Sequence, residues 1–203
     1  MTERIIVAGI GTDTGKTVAS AILCEALKAD YWKPVQAGDL SNSDSINVSR
    51  LIRNSESVIH PEAYKLETPM SPHAAAKIDG LEIDPEKLNP PHTDNHLIVE
   101  LAGGLMVPLT SNYFNIDVVE AIGYNVVLVA DYYLGSINHT LLSWELLESR
   151  HIPILGIIFN GEKNPSTFDV IMHRTKSRCL LQISKEEKID AETVKKYAGR
   201  IQL

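Results

Sequence analysis

Cysteine is nearly absent from this chain. Two residues, Cys24 and Cys179, in a length of 203 are too few for a disulfide framework and are not spaced as metal ligands. Each is expected to be a small buried apolar residue in a reducing compartment. Long apolar runs are missing as well. None approaches the roughly 18 residues that a membrane span requires. The N-terminal stretch lacks the basic start, long apolar run and cleavage site of a secretory signal, so the expected location is the cytoplasm. Positive charge is in deficit. Nineteen Lys and Arg against 26 Asp and Glu leave a net charge of −7, which works against nucleic-acid binding. An anionic small-molecule substrate stays open, because a local site can be basic inside an acidic protein. No internal repeat or low-complexity tract interrupts the sequence. What remains is a chain with 44% apolar residues, ordinary for a folded protein, and of a length that suggests one domain over residues 1–203.

Apolar runs alternate with segments of helical period. Residues 5–8 read as a buried strand, followed by a turn and a helix over about 15–27. Residues 31–35 form a weaker strand candidate, and 96–101, 125–130 and 154–160 form strong ones. These runs do not alternate in polarity, as expected for a parallel sheet covered on both faces. Between the last two, residues 136–150 carry a stripe of Ile137, Leu141, Trp144 and Leu147, with Ser136 as a candidate cap. The charged tail from residue 185 is expected to end in a surface helix. The pattern implies an α/β fold, a single-domain parallel sheet flanked by helices, with ligands bound outside the carboxyl ends of the strands.

The first of those ends carries Gly9-Ile10-Gly11-Thr12-Asp13-Thr14-Gly15-Lys16-Thr17. Glycines allow a tight turn whose amides converge on phosphate oxygens, and the following helix adds its positive end. Lys16 would reach the β- and γ-phosphates, and the Thr17 hydroxyl would hold Mg2+. The usual spacing places four residues between the first Gly and Gly-Lys-Thr. Here Gly9 leaves five and Gly11 leaves three, but the strand–loop–helix context is the required one. Magnesium on a nucleotide takes one or two carboxylates and keeps water. Glu100 ends an apolar strand and precedes Ala102-Gly103-Gly104, a suitable place for such an acid. Asp44 and Lys33 also follow strands. Read alone, they are an ordinary loop carboxylate and a solvated lysine.

Taken together these segments resemble dethiobiotin synthetases. The resemblance is carried by Gly15-Lys16-Thr17-Val18-Ala19-Ser20, Tyr31-Trp32-Lys33-Pro34-Val35-Gln36-Ala37-Gly38, Asn42-Ser43-Asp44, Ser71-Pro72-His73, Glu100 with Ala102-Gly103-Gly104, Leu134-Gly135-Ser136-Ile137-Asn138-His139, and Asn160. It implies a P-loop-type enzyme that uses ATP and CO2 to close the ureido ring of dethiobiotin on 7,8-diaminononanoate, releasing ADP and phosphate. By resemblance Lys33, Lys16 and Thr12 are catalytic. Asp13, Thr14, Gly15, Lys16, Thr17, Val18, Asp44, Glu100, Ala102, Gly103 and Asn160 bind the nucleotide, and Thr17, Asp44 and Glu100 hold Mg2+. Thr12, Lys33, Ala37, Gly135, Ser136, Ile137 and Asn138 bind the substrate. The segment 135–138 acts from the second subunit of a homodimer, where a helix start receives the substrate carboxylate.

Some positions depart from the family pattern. Asp13 stands where Glu is frequent, and Ala37 where many members have Ser. Leu101 replaces a Gly, and its side chain is expected to crowd the site, so that Gly there should preserve or tighten ATP binding. Residues 180–184 replace a stretch that normally carries Gly and Pro beside the adenine. The competing functional class is a nucleotide-dependent switch of the partition-ATPase kind. That class usually has an extra lysine early in the loop, and residues 9–15 contain none. A catalytically weak ATP-binding relative is the other alternative.

Overall fold

The first apolar run forms β1 (Arg4–Gly9), in which Ile5, Ile6, Val7 and Ala8 are all sealed from solvent. Burial on both faces is why the run does not alternate. The computed structural model describes residues 2–203. The other strands are β2 (Asp30–Trp32), β3 (Val35–Ala37), β4 (Tyr64–Leu66), β5 (Leu97–Gly104), β6 (Asn125–Asp131), β7 (Ile154–Asn160) and β8 (Cys179–Ile183). Six of them make one parallel sheet in the order β2-β5-β1-β6-β7-β8, while β3 and β4 pair as a separate parallel ribbon.

Helices cover both faces. On one lie α1 (Lys16–Leu27), α2 (Asp44–Leu51) and α7 (Ala191–Ala198). On the other lie α3 (Pro72–Ile78), α4 (Asn115–Ile122), α5 (Ser136–Ser149) and α6 (Pro165–Thr175). Successive strand residues feed opposite cores. Ile6 and Ala8 of β1 and Leu97, Val99 and Leu101 of β5 pack under α3 to α6. Ile5, Val7 and Ile98 pack under α1 with Tyr31. Each fully buried Leu or Ile of this kind contributes about 1.5–3 kcal/mol. Trp32 and Trp144 are both buried. Among the described residues no helix is long and apolar enough to cross a membrane.

Three local expectations need correction. Residues 31–35 are not one strand. The chain leaves the main sheet after Trp32 and enters the ribbon at Val35. Pro34 has no N–H for a ladder and constrains Lys33 before it, so the break falls between those two residues. Ser136 does not cap α5. Gly135 is the N-cap with φ of 103°, a conformation that suits glycine, so the helix starts one residue earlier than a serine cap would place it. Ser136 is then the first helical residue, buried, with its hydroxyl unpartnered among the described residues. Cys24 is buried, but Cys179 is half-buried because it opens β8 at the sheet edge; both thiols are free.

β2 is only three residues long and is held at its start by Asp30. This carboxylate, 2% exposed, accepts from Val58 N at 2.9 Å and Asn95 Nδ2 at 3.0 Å on one oxygen. On the other it accepts from Thr93 Oγ1 at 2.7 Å, with His60 Nε2 at 3.1 Å. Burial pushes the carboxyl up, but the hydrogen bonds from Thr93, Val58, His60 and Asn95 outweigh it and hold the group below its ordinary 3.8. A carboxyl depressed in the folded state stabilises the fold above its ordinary value, and that stability is lost as pH falls through the lower folded value. Asp30→Ala is expected to cost about 3 kcal/mol at neutral pH. Urea unfolding from pH 7 to pH 3 checks this: the gap between the two proteins should narrow below pH 4.

Candidate active site

The loop between β1 and α1 turns through two left-handed residues, Asp13 with φ of 57° and Gly15 with φ of 90°. A side chain on Gly15 would strike the Asn160 carboxamide. That carboxamide donates from Nδ2 to the Thr14 carbonyl at 3.2 Å, so β7 braces the loop from behind. Lys16 Nζ donates to the Gly11 carbonyl at 2.8 Å and draws the loop over its own helix. The first amides of α1 have no intrahelical acceptor and face outward, as an anion site requires.

Beside the start of α1 lies a charge cluster. Lys33, 3% exposed, sits where the chain leaves β2. Its Nζ is 2.6 Å from Asp44 Oδ2 and 3.2 Å from Glu100 Oε1. Asp44 opens α2, whose cap is Ser43, and its amide donates to Gln36 Oε1 at 3.3 Å. Glu100 is fully buried on β5. The Thr17 hydroxyl lies 2.7 Å from Asp44 Oδ1 and 3.0 Å from Glu100 Oε1. It has one hydrogen and donates to one carboxylate at a time. Tyr31 donates to Glu100 Oε2 at 3.0 Å.

The neighbours set the charge states. Burial lowers Lys16, Glu100 opposes it, and Lys33 lowers it further; the net result is a depressed ammonium. Burial also acts downward on Lys33, but Glu100 and Asp44 overcome it and hold that ammonium above its ordinary range. Burial raises Asp44, yet Lys33 and the Thr17 hydrogen bond bring it below the usual carboxylate range. Burial first, then the charges of Glu100 and Asp44, push the Tyr31 phenol well up, so it is a neutral donor. Two carboxylates and a hydroxyl with one hydrogen between them suit a hard divalent ion. No group of three or more His, Cys, Asp or Glu able to hold a metal gathers among the described residues.

A cavity of about 710 Å3 opens over this cluster. It is lined by residues 12–18, Lys33, Ala37, Asp44, Glu100, Ala102 and Gly103, bringing together every expected residue of the phosphate loop and its acids. Asn160 is braced against the loop and does not line it. The α5 start is elsewhere in the chain: Gly135, Ile137 and Asn138 line a different cavity of about 1070 Å3 with Lys163 and Asn164, and Ser136 is buried behind them. The sequence reading missed Tyr31, Gln36, Val107 and the Pro69-Met70 edge of the first cavity.

A phosphate loop at the carboxyl end of a central parallel strand, with a buried lysine and paired acids beside it, defines a P-loop nucleotide-binding protein. An AAA domain profile matches residues 3–193. The ATP-dependent dethiobiotin synthetase BioD of Christiangramia forsetii is 49% identical over 200 residues, covering 98% of this chain and 96% of the relative. That of Cytophaga hutchinsonii is 46% identical, with 98% and 97% covered. That of Rhodopseudomonas palustris is 51% identical over 180 residues, with 89% and 85% covered. The chain belongs to the ATP-dependent dethiobiotin synthetase family. Two solved structures share the fold alone. A ParA family ATPase from Chlorobium tepidum has a TM-score of 0.57 at 14% identity, with 97% of this chain and 98% of that one covered. The septum site-determining protein MinD of Pyrococcus horikoshii has 0.59 at 15%, with 98% and 95% covered.

The expectation that Leu101 crowds the site is overturned. Glu100 and Leu101 are neighbours on a strand and point to opposite faces. Leu101, 2% exposed, packs in the core under α3 to α6 and does not line the cavity. The positive φ of this segment belongs to Gly103, at 72°. Leu101→Gly is therefore expected to lose stability, by about 3–5 kcal/mol from the cavity left and the freed backbone. Calorimetric unfolding checks the loss, and ATP affinity measured below the transition should not tighten.

Proposed function

We propose that this chain carries out the ATP-dependent carboxylation and ring closure of 7,8-diaminononanoate with CO2, yielding dethiobiotin, ADP and phosphate, and that residues of the first cavity do the chemistry. The observation that carries the reading is the buried Lys33 ammonium held by Asp44 and Glu100 next to the phosphate loop. One amine adds to CO2 and loses a proton to give a carbamate. A carbamate oxygen then attacks the γ-phosphorus, and the bond to ADP breaks. The second amine attacks the carbamate carbon and loses a proton, phosphate leaves, and the ring is closed. Such a sequence needs positioning and charge neutralisation more than a protein nucleophile.

Lys16 and Lys33 flank the transferring phosphoryl group. Lys33 keeps its proton, so it acts by charge on the carbamate and the phosphate, not as a base. Thr12 lies at the amine end of the substrate, and Ala37 lines the same wall. Asp13, Thr14, Gly15 and Val18 hold the phosphates with Ala102 and Gly103 opposite, and Asn160, at the end of β7, contacts the adenine. Thr17, Asp44 and Glu100 would hold Mg2+, which would supply positive charge to offset that of the phosphates. Gly135, Ser136, Ile137 and Asn138 receive the carboxylate of the substrate bound to a second copy of the chain. Support for a homodimer comes from apolar exposure on that side. Met106 and Leu142, both more than half exposed, line a groove that reaches Thr12, and Leu134 stands in solvent beside Gly135. The free thiols and the small-molecule substrates suit the cytoplasm.

ADP release with ATP, Mg2+ and bicarbonate is expected to require 7,8-diaminononanoate, with dethiobiotin detected by mass spectrometry. Release indifferent to the diamine would point to the nucleotide switch instead. Lys33→Ala is expected to lower kcat by about 10²–10³, and near-normal turnover would remove Lys33 from the mechanism. Sedimentation of the active protein should give a dimer; a fully active monomer would sink the shared substrate site.

A further inference from the structure

The phenol of Tyr31 is fully buried, and its only hydrogen-bond partner among the described residues is Glu100 Oε2, at 3.0 Å. Conversely, among the described residues that oxygen has no donor besides Tyr31, whereas Oε1 of the same carboxylate faces Thr17 and Lys33. The pairing follows from the sheet. Tyr31 of β2 stands opposite Ile98 of β5, and Glu100 is two residues further along β5 on the same face. A diagonal neighbour at that distance is within reach of a long aromatic side chain. A residue that only filled the core would not need the hydroxyl. The ring already lies in the same core as Ile98, Val7 and the buried residues of α1, and Phe would fill the same space.

We propose that Tyr31 is a positioning residue for the reaction: its hydroxyl pins one oxygen of Glu100 and so aims the other at Thr17, Lys33 and the magnesium site. With the hydroxyl removed, Oε2 is left buried without a donor. The carboxylate then gains by rotating toward Lys33 or Thr17 with either oxygen, and its aim is lost. The inference rests on the reading of Thr17, Asp44 and Glu100 as the magnesium ligands.

The test is a double-mutant cycle on the full-length protein with Tyr31→Phe, Glu100→Ala and the pair. ADP binding is measured by calorimetry across a Mg2+ titration, alongside kcat and the KM for the diamine. Melting temperature follows the fold, which Phe retains because it keeps the ring. Tyr31→Phe is expected to raise the Mg2+ midpoint about tenfold and to lower kcat, with the diamine KM unchanged. In the Glu100→Ala background it should have no further effect on the midpoint. A lower melting temperature with an unmoved Mg2+ midpoint would overturn the proposal, leaving Tyr31 a packing residue. So would an equal loss with and without Glu100, because Tyr31 would then act by another route. If ADP binding to the unmodified protein did not depend on Mg2+, the metal reading and this one would both fall.

Discussion

The rest of the site depends on a charge buried where the chain leaves β2. A lysine ammonium as deeply enclosed as Lys33 is stable only if carboxylates meet it, and here two do, each from a different element. Asp44 arrives at the first turn of α2 and Glu100 from the middle of β5. The cluster therefore ties β2, β5 and α2 to the base of the phosphate loop through Thr17. Two negative charges and one positive leave it short of cation, and Lys16 stands near enough to feel both acids. A divalent ion would supply the missing positive charge, so the residues that join these elements also suit a polyanion that arrives with such an ion.

Strand β5 shows how packing and chemistry share one segment. Leu97, Val99 and Leu101 build the core under α3 to α6, while Ile98 and Glu100 face α1 and β2. The carboxylate is thus carried on a strand whose opposite face is fixed by three large aliphatic side chains. Its position is set by core packing and not by a mobile loop. Beyond it, Asn115 at the start of α4 donates to the Ala102 and Gly104 carbonyls at 2.7 and 2.9 Å. The turn that follows is clamped as firmly as the strand.

The sheet was legible because its central strands are buried on both sides and read as unbroken apolar runs; β7 (Ile154–Asn160) matches its expected bounds. The phosphate loop was legible because strand, glycines and helix follow in one short stretch. Features set by neighbours distant in sequence were not. Tyr31 reads as a strand aromatic until β2 is laid beside β5, 69 residues further along for the bonded pair. Leu101 departs from the family motif by its letter, but strand periodicity turns it away from the site. Ser136 has the chemistry of a cap, but Gly135 takes that place because it accepts a backbone angle that serine avoids. Helices α2, α3 and α6 carried usable start signals in Ser43, Ser71-Pro72 and Asn164-Pro165; α2 and α3 are too brief to form an apolar stripe, whereas α6 has one in Phe168, Ile171 and Met172.

The distance from Asp30 to Lys33 has a consequence for how this segment tolerates change. Asp30 is fastened to Val58, Thr93 and Asn95 at one end, and Pro34 turns the chain out of the sheet at the other. Tyr31 and Lys33, two residues apart, both reach the same carboxylate. With the ends held, adding or deleting a single residue between them would break the two-residue spacing of the pair, so that both side chains could no longer reach Glu100. The stretch can absorb substitutions at Trp32 that keep its bulk, but it behaves as a ruler whose length is part of the site.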